Sequence, residues 1–235
     1  MKITYANQSV ELNPGSEIII SLSGGLDSAS LTYLILKHFP DTIIWPICGR
    51  DVNAPLDAQS ALDIVNFLRR KFPKNKLQDL YIFDFDDTEK ELVKLAQKQL
   101  DSGTNVHSGT AVGVAKNIIT SIHFEKFMKL HPKAKFYEAL TQNPPIEDMK
   151  RLKFYEKGLR TRDPNVVRKK SKTIRPYENI DKKFVASIYK TENLMQTLFT
   201  LTGSCTGRLR ETNGFTEPCK KCFWCYEKHW AFGEY

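Results

Sequence analysis

Short, dense apolar runs alternate with longer amphipathic stretches along this chain, and the rhythm predicts its elements. Positions 1–16 alternate weakly, Ile3 and Tyr5 answering Val10 and Leu12 ahead of a Pro14–Gly15 turn, the pattern of a small hairpin. Residues 17–22, EIIISL, form a β-branched run of the kind a parallel sheet buries on both faces. ASLTYLILKHF (29–39) is long and apolar enough for a packed helix, and DTIIWPIC (41–48) predicts a second strand. After Pro55, LDAQSALDIVNFLRRKF sets Leu56, Leu62, Val65 and Leu68 near helical spacing. LQDLYIFDF (77–85) predicts a third strand. Thr88 and Glu91 then make a capping box that opens the helix TEKELVKLAQKQL. Beyond a glycine-containing link (102–109), AVGVAKNIITSIHFEKFMKL (111–130) predicts one more helix.

Strand followed by helix, three times over, places the chain in the α/β class, with a parallel sheet covered by helices on both faces. Past residue 131 the pattern weakens. AKFYEAL has the character of a strand, IEDMKRLKFYEKG (146–158) of a helix, and Asp181 is placed to cap a helix over KKFVASIYKTENLMQTLF. EKHWAF near the C-terminus reads as a short helix. The expected organisation is an α/β domain over 1–130 followed by a basic, mostly helical substrate region over 131–235.

Charge sharpens that division. The net charge of +8 on 235 residues is almost wholly local: residues 131–185 carry 15 basic and 7 acidic side chains, and the rest is nearly balanced. The densest part, RTRDPNVVRKKSKTIRP (160–176), is either a solvated loop or a surface for an anion, whether nucleotide phosphate or nucleic acid. No apolar run approaches the roughly 18–20 residues of a membrane span. The opening MKITYANQSVEL lacks the apolar stretch of a secretory signal. A cytoplasmic protein without a membrane partner is expected.

Cysteines are as uneven as charge. Cys48 lies in the apolar run IIWPICG and reads as a small buried hydrophobe. The other four, Cys205, Cys219, Cys222 and Cys225, end in CxxCxxC, and a reducing setting makes metal chemistry a better reading than disulfides. Cys-x-x-Cys brings two thiolates onto one ion, and four thiolates match tetrahedral Zn²⁺. An iron–sulfur cluster is the competing reading.

The strongest chemical signal is Ser23-Gly24-Gly25-Leu26-Asp27-Ser28, set between the first apolar strand and the first apolar helix. Two glycines allow close backbone approach, and the amides of a helix start favour a polyphosphate. Ser23 and Ser28 can donate to phosphate oxygens. Asp27 repels phosphate, so its expected roles are to hold Mg²⁺ or to pin the loop. No lysine follows the glycines as in a Walker A loop, and the spacing is not that of a dinucleotide fingerprint.

In its strand–loop–helix setting this hexapeptide resembles the SGGxDS loop of the PP-loop, N-type ATP pyrophosphatases. The resemblance implies a Rossmann-like, adenine nucleotide alpha hydrolase-like fold and ATP cleaved to AMP and pyrophosphate. It further implies a site of Ser21, Leu22, Ser23, Gly24, Gly25, Leu26, Asp27 and Ser28, with Asp27 and Ser28 catalytic. Together with the cysteine tail, the chain resembles the 7-cyano-7-deazaguanine synthase family of the queuosine pathway. Residues 113–127 resemble that family's GRN-type segment, Asn117 falling on its Asn and Lys116 on its Arg. Residues 175–207 resemble the approach to its first zinc cysteine, and 222–232 its CxxCxxR…AF ending, with Lys228 near the basic position.

The resemblance implies that 7-carboxy-7-deazaguanine is adenylated, aminated by ammonia to an amide, and activated by a second ATP for loss of water to the nitrile. Cys205, Cys219, Cys222 and Cys225 would be structural Zn²⁺ ligands, Lys116 catalytic, Asn117 nucleotide-binding, and the protein a homodimer. Two departures bear on the substrate. FYEALTQNPPIEDM lacks the cysteine and arginine of the family's YPDCR-like segment, and CGRD stands where YGQRH is usual. A PP-loop enzyme acting on tRNA, DNA or protein, and a non-catalytic zinc-stabilised nucleotide-binding protein, are the alternatives.

Overall fold

The computed structural model describes residues 1–51, 56–85, 111–149, 172–206 and 209–235, with residues 93, 94, 97, 98, 101, 160 and 162 besides. β1 (Lys2–Tyr5) and β2 (Gln8–Glu11) form the expected antiparallel hairpin. Its turn lies at Ala6–Asn7, both with positive φ, as a two-residue hairpin requires. Pro14–Gly15 instead leads into the main sheet.

That sheet is wholly parallel, in the order β5–β4–β3–β6–β7. At its centre is β3 (Glu17–Ser21), flanked by β4 (Ile43–Arg50) and β6 (Lys135–Tyr137), with β5 (Tyr81–Asp84) and β7 (Thr173–Ile174) outside them. The third strand is shorter than its apolar run because Leu77 makes only an isolated bridge to Ile44. β6 and β7, from beyond residue 130, complete the same sheet.

Alternation along β3 explains why both faces need cover. Ile18 and Ile20 enter the large core with α1 (Leu26–His38), α2 (Leu56–Lys71) and α4 (Lys182–Thr191). Ile19 points the other way, to Ile47, Phe136 and the side chains Phe124, Phe127 and Met128 of α3 (Ala111–Leu130). The result is the Rossmann-like α/β arrangement that the strand–helix rhythm implied. α1 is buried along nearly its whole length, which is why its sequence shows little amphipathic contrast.

Asp181 caps α4 as expected, accepting from the Lys183 amide at 3.0 Å. The helix stops at Thr191 rather than running to Phe199, because Asn193 turns into the left-handed region at φ 55°. A single 3₁₀ turn, Ile146–Met149, is described of the helix expected over 146–158. Of the helix expected after Thr88, residues 93, 94, 97 and 98 are helical, and the other positions lie outside the described residues. α5 (Phe223–Phe232) closes the chain, its Phe232 packed on Tyr189 and Phe199. Among the described residues no helix is long and apolar enough to cross a membrane.

Candidate functional site

From β3 the chain builds outward through β4 and β5, then crosses back to lay β6 on the opposite side of β3. Such a reversal opens a crevice beyond the carboxyl ends of the two central strands. A cavity of about 360 Å³ lies there, with Ser21, Ser23, Gly25, Leu26, Asp27 and Ser28 on one wall. Glu138, Arg160, Lys182 and Trp224 also face it.

The loop is held by its glycines and by α2. Gly24 has φ +76°, and a Cβ there would lie 2.4 Å from the Asp57 carbonyl oxygen, so only glycine fits on both counts. Gly25 is the N-cap of α1 and makes no side-chain cap, leaving the first-turn amides without an intrahelical partner. The Ser23 and Ser28 hydroxyls lie 3.3 Å apart, and Ser28 Oγ donates to the Gly25 carbonyl. Leu22 does not face the cavity. It is fully buried in the core, so its side chain anchors the loop from beneath.

Asp27 is the pivot of the site. Its Oδ2 accepts from Lys182 Nζ at 2.9 Å and from Thr141 Oγ1 at 3.4 Å. Lys182 in turn lies 3.3 Å from Glu227 Oε2, and Glu227 Oε1 pairs with Arg160. Two carboxylates and two cations therefore form a buried chain whose formal charges cancel. Burial pulls the Lys182 ammonium down, but Asp27 and Glu227 more than offset this and raise its pKa above that of a free lysine. Arg160 also donates from Nε to the Thr141 carbonyl at 2.7 Å and stands over the Trp224 ring, 5.0 Å from its centroid. Three atoms of the network are buried with no hydrogen-bond partner among the described residues: Asp27 Oδ1, Arg160 Nη1, and Glu227 Oε2, which meets Lys182 only as an ion pair. An unpartnered carboxylate oxygen beside a phosphate-type loop fits a Mg²⁺ ligand, since that ion takes oxygen donors.

Lys182, Glu227 and Arg160 were not singled out from the sequence. Lys182 had a signal: it sits in the first turn of α4, where the helix dipole disfavours a cation, and on the face of the buried Val185, Ala186 and Tyr189. Lys116 and Asn117 lie on α3, the helix across the sheet, and their side chains lie outside the described residues. Cys48 is a buried thiol inside β4, and burial pushes its pKa up to about 12.

Cys205, Cys219, Cys222 and Cys225 come together as the spacing implied, all four sulfurs within 4.8 Å of one another. A tetrahedral ion with Zn–S bonds of about 2.3 Å sets its sulfurs about 3.8 Å apart, and Cys219 and Cys225 already stand at 3.9 Å. A four-iron cluster places an iron under each thiolate and needs its sulfurs considerably further apart, so this cage fits a single ion. The Cys219 amide donates to Cys205 Sγ and the Cys222 amide to Cys219 Sγ, stabilising thiolates. A second cavity of about 520 Å³ adjoins the first through Asp57 and the stretch Gly203–Thr206, and reaches Cys225, Lys228 and Tyr235.

Of the basic region's described residues, Arg162 pairs with Asp181 at 2.6 Å and Arg175 with Glu138 at 2.8 Å, so several of its charges are spent internally. Residues 163–171 lie outside the described residues.

No family model matches this chain, and no curated protein matches it. Among solved structures it is similar to the U34-tRNA thiolase NcsA from Methanococcus maripaludis with its [4Fe-4S] cluster. The TM-score is 0.41 and the identity 18%, over 78% of this chain. This chain spans 59% of that protein's length.

Proposed function

We propose that this protein is an ATP-dependent ligase of the PP-loop type, which transfers AMP to a substrate oxygen and lets a nitrogen nucleophile displace it. The observation that carries the reading is the SGGLDS loop opening on the switch-point cavity, with Asp27 Oδ1 buried beside it and without a hydrogen-bond partner among the described residues. Ser23, Ser28 and the amides at the start of α1 would hold the departing pyrophosphate. Asp27 would be the protein's Mg²⁺ ligand through Oδ1, with Oδ2 fixed by Lys182. Mg²⁺, when bound, would neutralise charge on the phosphates. The Arg160 Nη1 donor is placed to meet an anionic oxygen of the substrate. Zn²⁺ is the proposed ion of the four-cysteine cage, and its role would be structural, because four thiolates leave no open position.

For the substrate, the resemblance in the cysteine ending and in residues 175–207 supports 7-carboxy-7-deazaguanine. Its carboxylate oxygen attacks the α-phosphorus of ATP and expels pyrophosphate, and ammonia then expels AMP to give the amide. The amide oxygen attacks the α-phosphorus of a second ATP and expels a second pyrophosphate, and loss of AMP and protons leaves the nitrile. Incubation with ATP, Mg²⁺, ammonia and this acid should yield the nitrile by mass spectrometry, with AMP and pyrophosphate. AMP and pyrophosphate without a modified base would reject the acid and keep the class.

The charge of residues 131–185 favours a second reading, in which the acceptor is a tRNA or another nucleic acid. That reading requires binding that weakens steeply as salt is raised, and salt-independent binding would remove it.

A further inference from the structure

We infer that the cysteine cage governs the nucleotide loop, with Glu227 as the positioning residue that links them. The inference rests on the reading of SGGLDS as the ATP site. Two connections join the cage to the loop. Gly203, two residues before Cys205, donates its amide to the Gly24 carbonyl at 3.0 Å. Glu227 lies two residues after Cys225 on α5, is fully buried, and holds both Lys182 and Arg160. Lys182 holds Asp27, and Arg160 donates to Thr141, which itself donates to Asp27.

α5 has ten residues, too few to persist alone, so its position depends on its anchors. Phe232 in the core secures its C-terminal end. Its N-terminal end carries the cage: Cys222 is the N-cap and Cys225 the third helical residue. Glu227 sits between these anchors. Without an ion, no metal bond ties together the four sulfurs that stand within 4.8 Å of one another, the N-terminal anchor is lost, and Glu227 is no longer held between its two cations. Lys182 and Arg160 then face each other without that carboxylate, and the setting of Asp27 changes with them. Removing one partner from a buried charge network leaves the others uncompensated, which makes the link strong enough to carry information.

Coupling of this kind is reciprocal: if zinc tightens ATP binding, ATP must tighten zinc binding by the same factor. Equilibrium dialysis with Mg·ATP should show affinity falling on the order of tenfold when zinc is stripped. The same fall is expected in zinc-loaded Glu227→Gln that retains one metal equivalent. In the unaltered protein, ATP should shift the equilibrium partition of zinc against a colorimetric chelator toward the protein by a comparable factor, and in Glu227→Gln it should not. A merely structural Glu227 would leave the effect of ATP on the chelator measurement the same in Glu227→Gln as in the unaltered protein. A zinc partition indifferent to ATP in a protein that binds ATP overturns the coupling and leaves the ATP reading standing. Absence of ATP binding by the zinc-loaded protein overturns both.

Discussion

The two ends of α1 each carry a polar cluster, and the clusters differ in what they leave undone. At the C-terminal end Glu192 accepts from Tyr5 at 2.6 Å on one oxygen, and from Tyr33 at 2.8 Å and Lys37 at 2.5 Å on the other. Both of its oxygens are engaged, although Nε2 of the neighbouring His38 is buried with no hydrogen-bond partner among the described residues. At the N-terminal end Asp27, Lys182, Glu227 and Arg160 form a longer network that still leaves Asp27 Oδ1 and Arg160 Nη1 without hydrogen-bond partners among the described residues. Buried polar groups are normally satisfied because an unmade hydrogen bond is costly. A closed cluster ties elements together, whereas one with an acceptor and a donor to spare is built to receive something.

The largest effect separating the two ends should come from Lys182→Met. It removes the cation that bridges Asp27 and Glu227 and should cost about 3–5 kcal/mol, read from urea unfolding. Asp27→Asn tests the open end for chemistry. ATP-to-AMP turnover should fall by about 100-fold or more, and an equal turnover would make the spare oxygen irrelevant. Gly24→Ala should cost about 2–4 kcal/mol from its overlap with Asp57 and its positive φ. Gly25→Ala, whose Cβ meets only ordinary contacts at 3.4 and 3.5 Å, should change stability by no more than about 0.5 kcal/mol. If the two alanine variants unfold alike, the loop is not seated on α2 as described.

The closed end should give the most pH-dependent response. Burial pushes the Glu192 pKa up, but the hydrogen bonds from Lys37, Tyr5 and Tyr33 outweigh it and hold the carboxyl below its ordinary value. A depressed carboxyl contributes stability above its unfolded pKa and loses it as pH falls through the folded one. Glu192→Gln should therefore cost about 1–2 kcal/mol near neutrality, with the difference shrinking steadily below about pH 4. Turnover should be unchanged, and a loss of turnover would erase the distinction between the ends.

What could be read from the sequence was what lay contiguous in it. The β3 run, the hexapeptide after it and the close spacing of Cys219, Cys222 and Cys225 each state their geometry within a few residues. The Asp27 network does not, because it gathers positions 27, 160, 182 and 227 from four separate segments. Of its members Asp27 was legible within the hexapeptide, and among the others only Lys182 carried a signal, as a cation on an apolar helix face. The extent of α4 was overread because the apolar spacing of Leu194 and Leu198 continues past Asn193. A single left-handed residue turned that spacing into a bend, and no periodicity reports such a turn.

The placement of β3 has a consequence for how the protein is made. Its neighbour on one side, β4, begins at Ile43, but the neighbour on the other, β6, begins at Lys135, the residue that pairs with Ile18. At roughly 5–20 residues per second, a ribosome leaves the inner edge of the sheet bare for several seconds to tens of seconds. During that interval the nascent chain presents an isoleucine-rich strand with open hydrogen-bonding groups, the form most readily captured by another chain. Synthesis of this protein is therefore most exposed to aggregation before residue 137 emerges.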